Sequence, residues 1–92
     1  MKAVEQEIAA EKASNLGRVG EKLEAALAEL ATLARAVTEA APAERAARVA
    51  AYNACRRRAE DAYYWLTVQR EAMGVISHEL LAALYPIPPK LK

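Results

Sequence analysis

Apolar residues recur at alternating spacings of three and four through the first half of the chain: Leu16, Val19, Leu23, Ala26, Leu30, Leu33 and Val37. That spacing places them on one face of an α-helix. Val4 and Ile8 extend the face if the helix is straight, so the predicted helix runs from about Ala3 to about Glu39. Gly17 and Gly20 interrupt it with poor helix formers, each costing roughly 1 kcal/mol relative to Ala. A continuous helix, bent or straight, is the preferred reading. Ala9, Ala13, Gly17 and Gly20 line up as a ridge of small residues, and such a ridge lets another helix backbone approach closely. The alternative is a stop at Ser14-Asn15-Leu16-Gly17 and a fresh helix after Gly20.

The pattern breaks at Thr38-Glu39-Ala40-Ala41-Pro42. Proline disfavours helix in the residue before it and is tolerated at a first helical position. A second helix is therefore expected from near Pro42 to about Met73, with Glu44 in the first turn and Gly74 as its cap. A short turn of this kind joins antiparallel neighbours. The second helix carries its own stripe of Tyr52, Cys55, Ala59, Ala62, Leu66 and Met73, with Gln69 in register. Trp65, Val68 and Ala72 form another apolar face, which predicts contact from two sides. One contact is the first helix; the other is the chain's own tail or a second subunit.

From Val75 to Lys92 the sequence fits one short helix, N-capped by Ser77, and an extended end. Leu80, Leu81 and Leu84 make an apolar patch, and Tyr85-Pro86-Ile87-Pro88-Pro89 cannot continue a helix. The tail is expected to fold back over Trp65. The expected core is Ile8, Leu16, Val19, Leu23, Leu30, Leu33, Tyr52, Leu66 and Trp65.

Length then bears on assembly. A first helix of this extent is ~54 Å long at 1.5 Å per residue. A compact chain of 92 residues has a radius of gyration of only about 12 Å. Two long helices and a short third one leave each stripe half covered, whereas two hairpins close a core as a four-helix bundle. The expected fold is all-α: a single domain over residues 1–92, a long antiparallel hairpin plus a short C-terminal helix, forming a four-helix bundle on dimerisation. Leu16, Val19, Leu23, Leu30 and Leu33 are the interface candidates. A compact monomer is the expectation if the first helix breaks at Gly17–Gly20.

Composition agrees with helix. Alanine supplies 23 residues, phenylalanine none, and alanine keeps its full helix propensity while burying little area. The net charge of +1 argues against a dedicated nucleic-acid binder. The halves differ: residues 1–40 hold 5 basic and 7 acidic groups (−2), and residues 41–92 hold 8 and 5 (+3). The attraction between them is weak and screened by salt. A lone Cys55 fits a reducing compartment. The N-terminus lacks the apolar stretch of a signal peptide, and no apolar run is long enough to cross a membrane. The expected location is the cytoplasm, with no membrane partner.

Three stretches carry a resemblance. The first is Glu7-Ile8-Ala9-Ala10-Glu11-Lys12-Ala13-Ser14-Asn15-Leu16-Gly17-Arg18-Val19-Gly20, followed by Leu23-Glu24-Ala25-Ala26-Leu27. The second is Val68-Gln69-Arg70-Glu71-Ala72 with Gly74, and the third is Tyr85-Pro86-Ile87-Pro88. Together they resemble a small all-helical bacterial family of unknown function, found largely in alphaproteobacteria. Pro86 stands where that family usually has Gly, and the chain ends soon after, which implies a shortened last helical turn. The resemblance implies an all-helical fold and a bacterial cytoplasm, and carries no activity.

Candidate chemistry is sparse. Arg70 suits a carboxylate or phosphate through its planar fork of donors, and with Gln69 and Lys12 it makes the one speculative ligand set. The bland reading is stronger: such groups hold helix ends through hydrogen bonds and ion pairs, for instance Lys12 with Glu71. Arg56-Arg57-Arg58, near Tyr52, Tyr63 and Tyr64, spans about 200° of helix and is offset by Glu60 and Asp61. A solvated face explains it better than nucleic acid does. His78 has no metal-ligand spacing around it, and no catalytic triad can be assembled. Cys55 falls on the buried stripe, where a thiol is an inert small hydrophobe. No cofactor and no catalytic residue is expected. Leu23 to Val37 with Arg35 loosely resembles the first helix of helical chorismate mutases, but Arg35 lies off the main stripe. The sequence reading is a homodimeric structural or protein-interaction module, open to a further protein partner. The alternative is a small helical-bundle enzyme or anion-binding protein.

Overall fold

The computed structural model describes the backbone of residues 2–74 and 79–92, and the side chains of residues 17–74, 79 and 81–92. Three helices follow one another: α1 (Lys2–Thr38), α2 (Pro42–Ala72) and α3 (Glu79–Leu84). No strand occurs among the described residues. Helix α1 runs unbroken through Gly17 and Gly20. The molecule measures 63 × 21 × 15 Å with a radius of gyration of 17.0 Å, well above the ~12 Å of a compact chain of this length.

The α1–α2 turn is built by proline and one arginine. Ala41, restricted by the following Pro42, is extended at φ −66° and ψ 153°. Its carbonyl receives the first α2 bonds, from Glu44 N at 2.9 Å and Arg45 N at 3.1 Å. No side chain caps this N-terminus. Arg48 reaches back instead, donating to the carbonyl of Ala36 in the last turn of α1 at 2.7 Å and pairing with Glu44 at 2.6 Å. One guanidinium thus satisfies an orphan helix carbonyl and ties both ends of the turn. At its other end α2 closes on Met73, and Gly74 follows with φ +89°, a conformation that favours glycine.

The hairpin seam is a heptad pattern on both helices. On α1, Leu23, Leu30 and Val37 recur every seven residues and are buried; Val19, Ala26 and Leu33 alternate with them and stay partly exposed. On α2, Tyr52, Ala59 and Leu66 are buried with Cys55, and Ala62 is partly exposed. Their antiparallel register appears directly where the Cys55 thiol donates to the Ala26 carbonyl at 3.5 Å.

The difference between the two sets comes from the tail. After α3, residues 85–92 run back along one side of the hairpin. Tyr85, Ile87 and Leu91 pack against the core, and Leu81 of α3 is buried with it. Leu30 and Tyr52 border the tail side, and Ala26 and Ala62 border the side it leaves open.

Several sequence expectations change here. The tail does not cover Trp65, which is 56% exposed. It is drawn instead to donors on the opposite face of α2, described below. The small-residue ridge receives no helix backbone at its described positions. A Cβ on Gly20 would meet only the Tyr85 hydroxyl, at 3.5 Å, and one on Gly17 nothing within 4 Å. The leucines of α3 do not form one patch either: Leu81 is buried, while Leu84 projects outward at 60% exposure. Met73, at the end of the α2 stripe, is also exposed. The side chains of Val4, Ile8, Ala9, Lys12, Ala13, Leu16 and Leu80, and all of Ser77 and His78, lie outside the described residues.

Candidate interaction surfaces

Two clefts flank the seam, one on each side. On the tail side, α2 presents donors and the tail presents carbonyls. Arg56 Nε donates to Pro88 O at 2.7 Å, and Tyr52 Oη to Pro89 O at 3.1 Å. Asn53 Nδ2 donates to Leu91 O at 2.9 Å while its Oδ1 accepts from Leu91 N at 3.0 Å. Arg45 donates to Lys92 O at 3.1 Å. Prolines fix φ and leave their carbonyls without local partners, so each side-chain donor replaces water at a specific acceptor. Pro86, Ile87 and Pro88 line a cleft of about 470 Å³ together with Leu27, Leu30, Ala31, Ala34 and Tyr52.

On the open side the two helices present matched ridges. Lys22, Ala25, Ala26 and Glu29 of α1 face Arg58, Asp61, Ala62 and Trp65 of α2 across a groove of about 500 Å³. Each set has the spacing i, i+3, i+4, i+7, so each is a single stripe along its helix. Arg58 and Glu29 form an ion pair at 3.0 Å near one end. Both are well exposed, so the pair adds little to stability. The Arg58 guanidinium is pushed above its ordinary value, first by hydrogen bonding toward the Cys55 side chain and then by the charge of Glu29. An arginine with a raised pKa stays cationic throughout the accessible pH range, so the groove keeps this charge. Near the other end Trp65 meets Tyr64 edge to face, with ring centroids 5.6 Å apart and planes at 72°. Tyr64 is 61% exposed, so the pair presents two large aromatic rings to the surface.

No family model, curated protein or solved structure matches this chain.

The remaining sequence candidates fall as follows. Leu23 and Leu30 are 0% and 1% exposed within a single chain, so α2 and the tail already occupy the surface they would offer a partner. Val19 and Leu33 keep exposed area. Gln69 and Arg70 are half-buried on the last turns of α2, and neither lines the two clefts. The Gln69 side-chain carbonyl is buried with no hydrogen-bond partner among the described residues. The pairing of Lys12 with Glu71 falls outside the described side chains. The arginine run splits: Arg56 holds the tail and pairs with Glu60, Arg58 pairs with Glu29, and Arg57 is exposed. Arg35 donates to Thr32 on an exposed surface. Among the described residues no group of His, Cys, Asp and Glu could hold a metal ion, and no helix is long and apolar enough to cross a membrane.

Sequence reasoning missed Asn53 and Arg45 as tail ligands, and missed the open groove. Lone polar residues on a charged helix carry no signal of what they bind. The groove was legible in part, since Trp65 lies off the main stripe.

Proposed function

We propose that this chain is a homodimeric protein-interaction module, and that two copies pair through the open groove into a four-helix bundle. The carrying observation is the exposed Tyr64–Trp65 pair beside the alanine-floored groove. Ala25, Ala26 and Ala62 permit close helix approach, and Val19 and Leu33 keep exposed apolar area on the same helix as Ala25 and Ala26. The groove is lined by two cations, Lys22 and Arg58, and two anions, Glu29 and Asp61. A balanced set suits a two-fold interface, in which each residue meets its opposite on an identical surface. A second copy covers apolar area at a surface with no excess of either charge. Membership of the alphaproteobacterial helical family and a cytoplasmic location belong to the same proposal.

The anion-binding or enzymatic alternative has less support, since neither cleft is lined by Gln69 or Arg70.

Light scattering at micromolar concentration tests the reading. The expected species has twice the 10.0 kDa chain mass. Ala25→Arg and Ala62→Arg, each at the groove floor, are expected to give monomers of unchanged helicity. A wild-type species at the single-chain mass would refute the dimer.

A further inference from the structure

The opposite side of the hairpin carries an independent signal. Residues 85–92 are held by side-chain donors of one helix acting on main-chain groups of the tail, at Pro88, Pro89, Leu91 and Lys92. From Arg56 to Arg45 is eleven helical positions, or ~16 Å of axis. Four residue steps, from Pro88 to Lys92, cover at most ~14 Å, so the tail runs extended and the long arginine side chains span the remainder. This is how a groove reads an extended proline-containing peptide: main-chain bonds provide affinity, and pockets for alternate side chains provide selectivity. Asn53 contributes an amide that pairs with both the N–H and the C=O of one residue, as a neighbouring strand would.

We propose that the Tyr52–Asn53–Arg56 face of α2 and the Leu27–Leu30–Ala34 face of α1 form a recognition groove for an extended Pro-x-Pro-Pro peptide supplied by another polypeptide, with residues 85–92 as its tethered occupant. Three observations support this. The donors are anchored on the hairpin itself: Tyr52 belongs to the seam core, and Arg56 is braced by Glu60 one turn on. The polar contacts from α2 are made to carbonyls and one N–H, groups that any extended segment of matching proline spacing offers. The tail also leaves the cleft beside Ile87 open, with about 470 Å³ bounded by Leu27, Leu30, Ala31, Ala34 and Tyr52. A ligand with a larger residue at that position buries more surface than Ile87 does. The chain's own tail then regulates the groove by occupying it, because a short tether supplies an effective concentration in the millimolar range. This inference concerns a different face from the groove of the proposed dimer and stands or falls without it.

The test uses the full chain and a fluorescein-labelled peptide of residues 84–92. Ile87→Asp with Leu91→Asp weakens the resident tail. The peptide is expected to bind this variant at least ~10-fold more tightly than wild type, as loss of a tethered competitor requires. Adding Asn53→Ala and Arg56→Ala should remove saturable binding while helicity is kept. Equal binding to wild type and the tail variant overturns the proposal, as does binding that survives loss of Asn53 and Arg56. If the tail variant loses its helicity, wild type decides. The Leu91 amide, held by Asn53, should lose exchange protection as unlabelled peptide is raised through the millimolar range. Protection that does not change with peptide, or that a scrambled peptide removes equally, rules the groove out.

Discussion

Arg56 and Trp65 project from opposite sides of α2. They are nine positions apart, which at 100° per residue is about two and a half turns. Arg56 holds the Pro88 carbonyl at 2.7 Å, and Trp65 stands 56% exposed on the far side. The tail cannot satisfy both. It follows the donors, because the carbonyls of Pro88 and Pro89 find partners there, and Trp65 is left to solvent or to another chain.

That division predicts how the only tryptophan behaves. Trp65→Ala is expected to leave the helicity and melting of the isolated chain nearly unchanged, since exposed substitutions shift stability by ±0.5 kcal/mol or less. The same substitution should lower the light-scattering mass toward the monomer. In wild type, dilution should red-shift the emission as the indole returns to water. Emission constant across a thousandfold dilution would place Trp65 outside any interface.

The heptad seam predicts an asymmetry between neighbouring leucines. Leu30, 1% exposed, should cost about 2–4 kcal/mol on truncation to Ala, measured by urea unfolding. Leu33, only partly buried, should cost clearly less in the monomer. Leu30→Asp should leave no folded population, because it places a charge in the seam without a partner. A folded Leu30→Asp chain would contradict the seam described here.

The glycines predict opposite signs. Gly17 lies inside α1 with nothing within 4 Å of an added Cβ, so Gly17→Ala should stabilise by about 0.5–1 kcal/mol. In a domain of this size that raises Tm by several degrees. Gly20→Ala should stabilise by a similar amount, because its Cβ makes only an ordinary contact with the Tyr85 hydroxyl at 3.5 Å. Gly74 sits at φ +89°, and Gly74→Ala should destabilise by about 1 kcal/mol. Thermal melts of the three variants give the order directly.

Cys55 predicts a probe of opening. Its thiol is fully buried and donates to the Ala26 carbonyl across the seam. Labelling by a thiol reagent should proceed only through separation of α1 and α2, so its rate should rise with urea in step with unfolding. Rapid labelling of the native chain would mean that the seam opens near Cys55 without global unfolding.

Much of this architecture is readable from residue order. The three-four spacing from Leu16 to Val37, and again from Tyr52 to Met73, marks two helices and the faces they share. Pro42 and Gly74 mark the boundaries of α2 because their backbone limits are local. Cys55 and Leu66 are placed on the seam by the same periodicity. The candidate surfaces are less legible. Asn53 and Arg45 become ligands only when a distant tail arrives, and nothing in their neighbours announces it.

Periodicity by itself determined the helices, their antiparallel pairing and the stripe between them, because each depends on residues within a few turns of one another. Tertiary structure decided which side of that stripe is closed. The tail carbonyls of Pro89, Leu91 and Pro88 find donors at Tyr52, Asn53 and Arg56, which sets the tail on the Leu30 side and leaves Trp65 exposed. Where a donor finds its acceptor across 30 or more residues depends on geometry that no local pattern encodes.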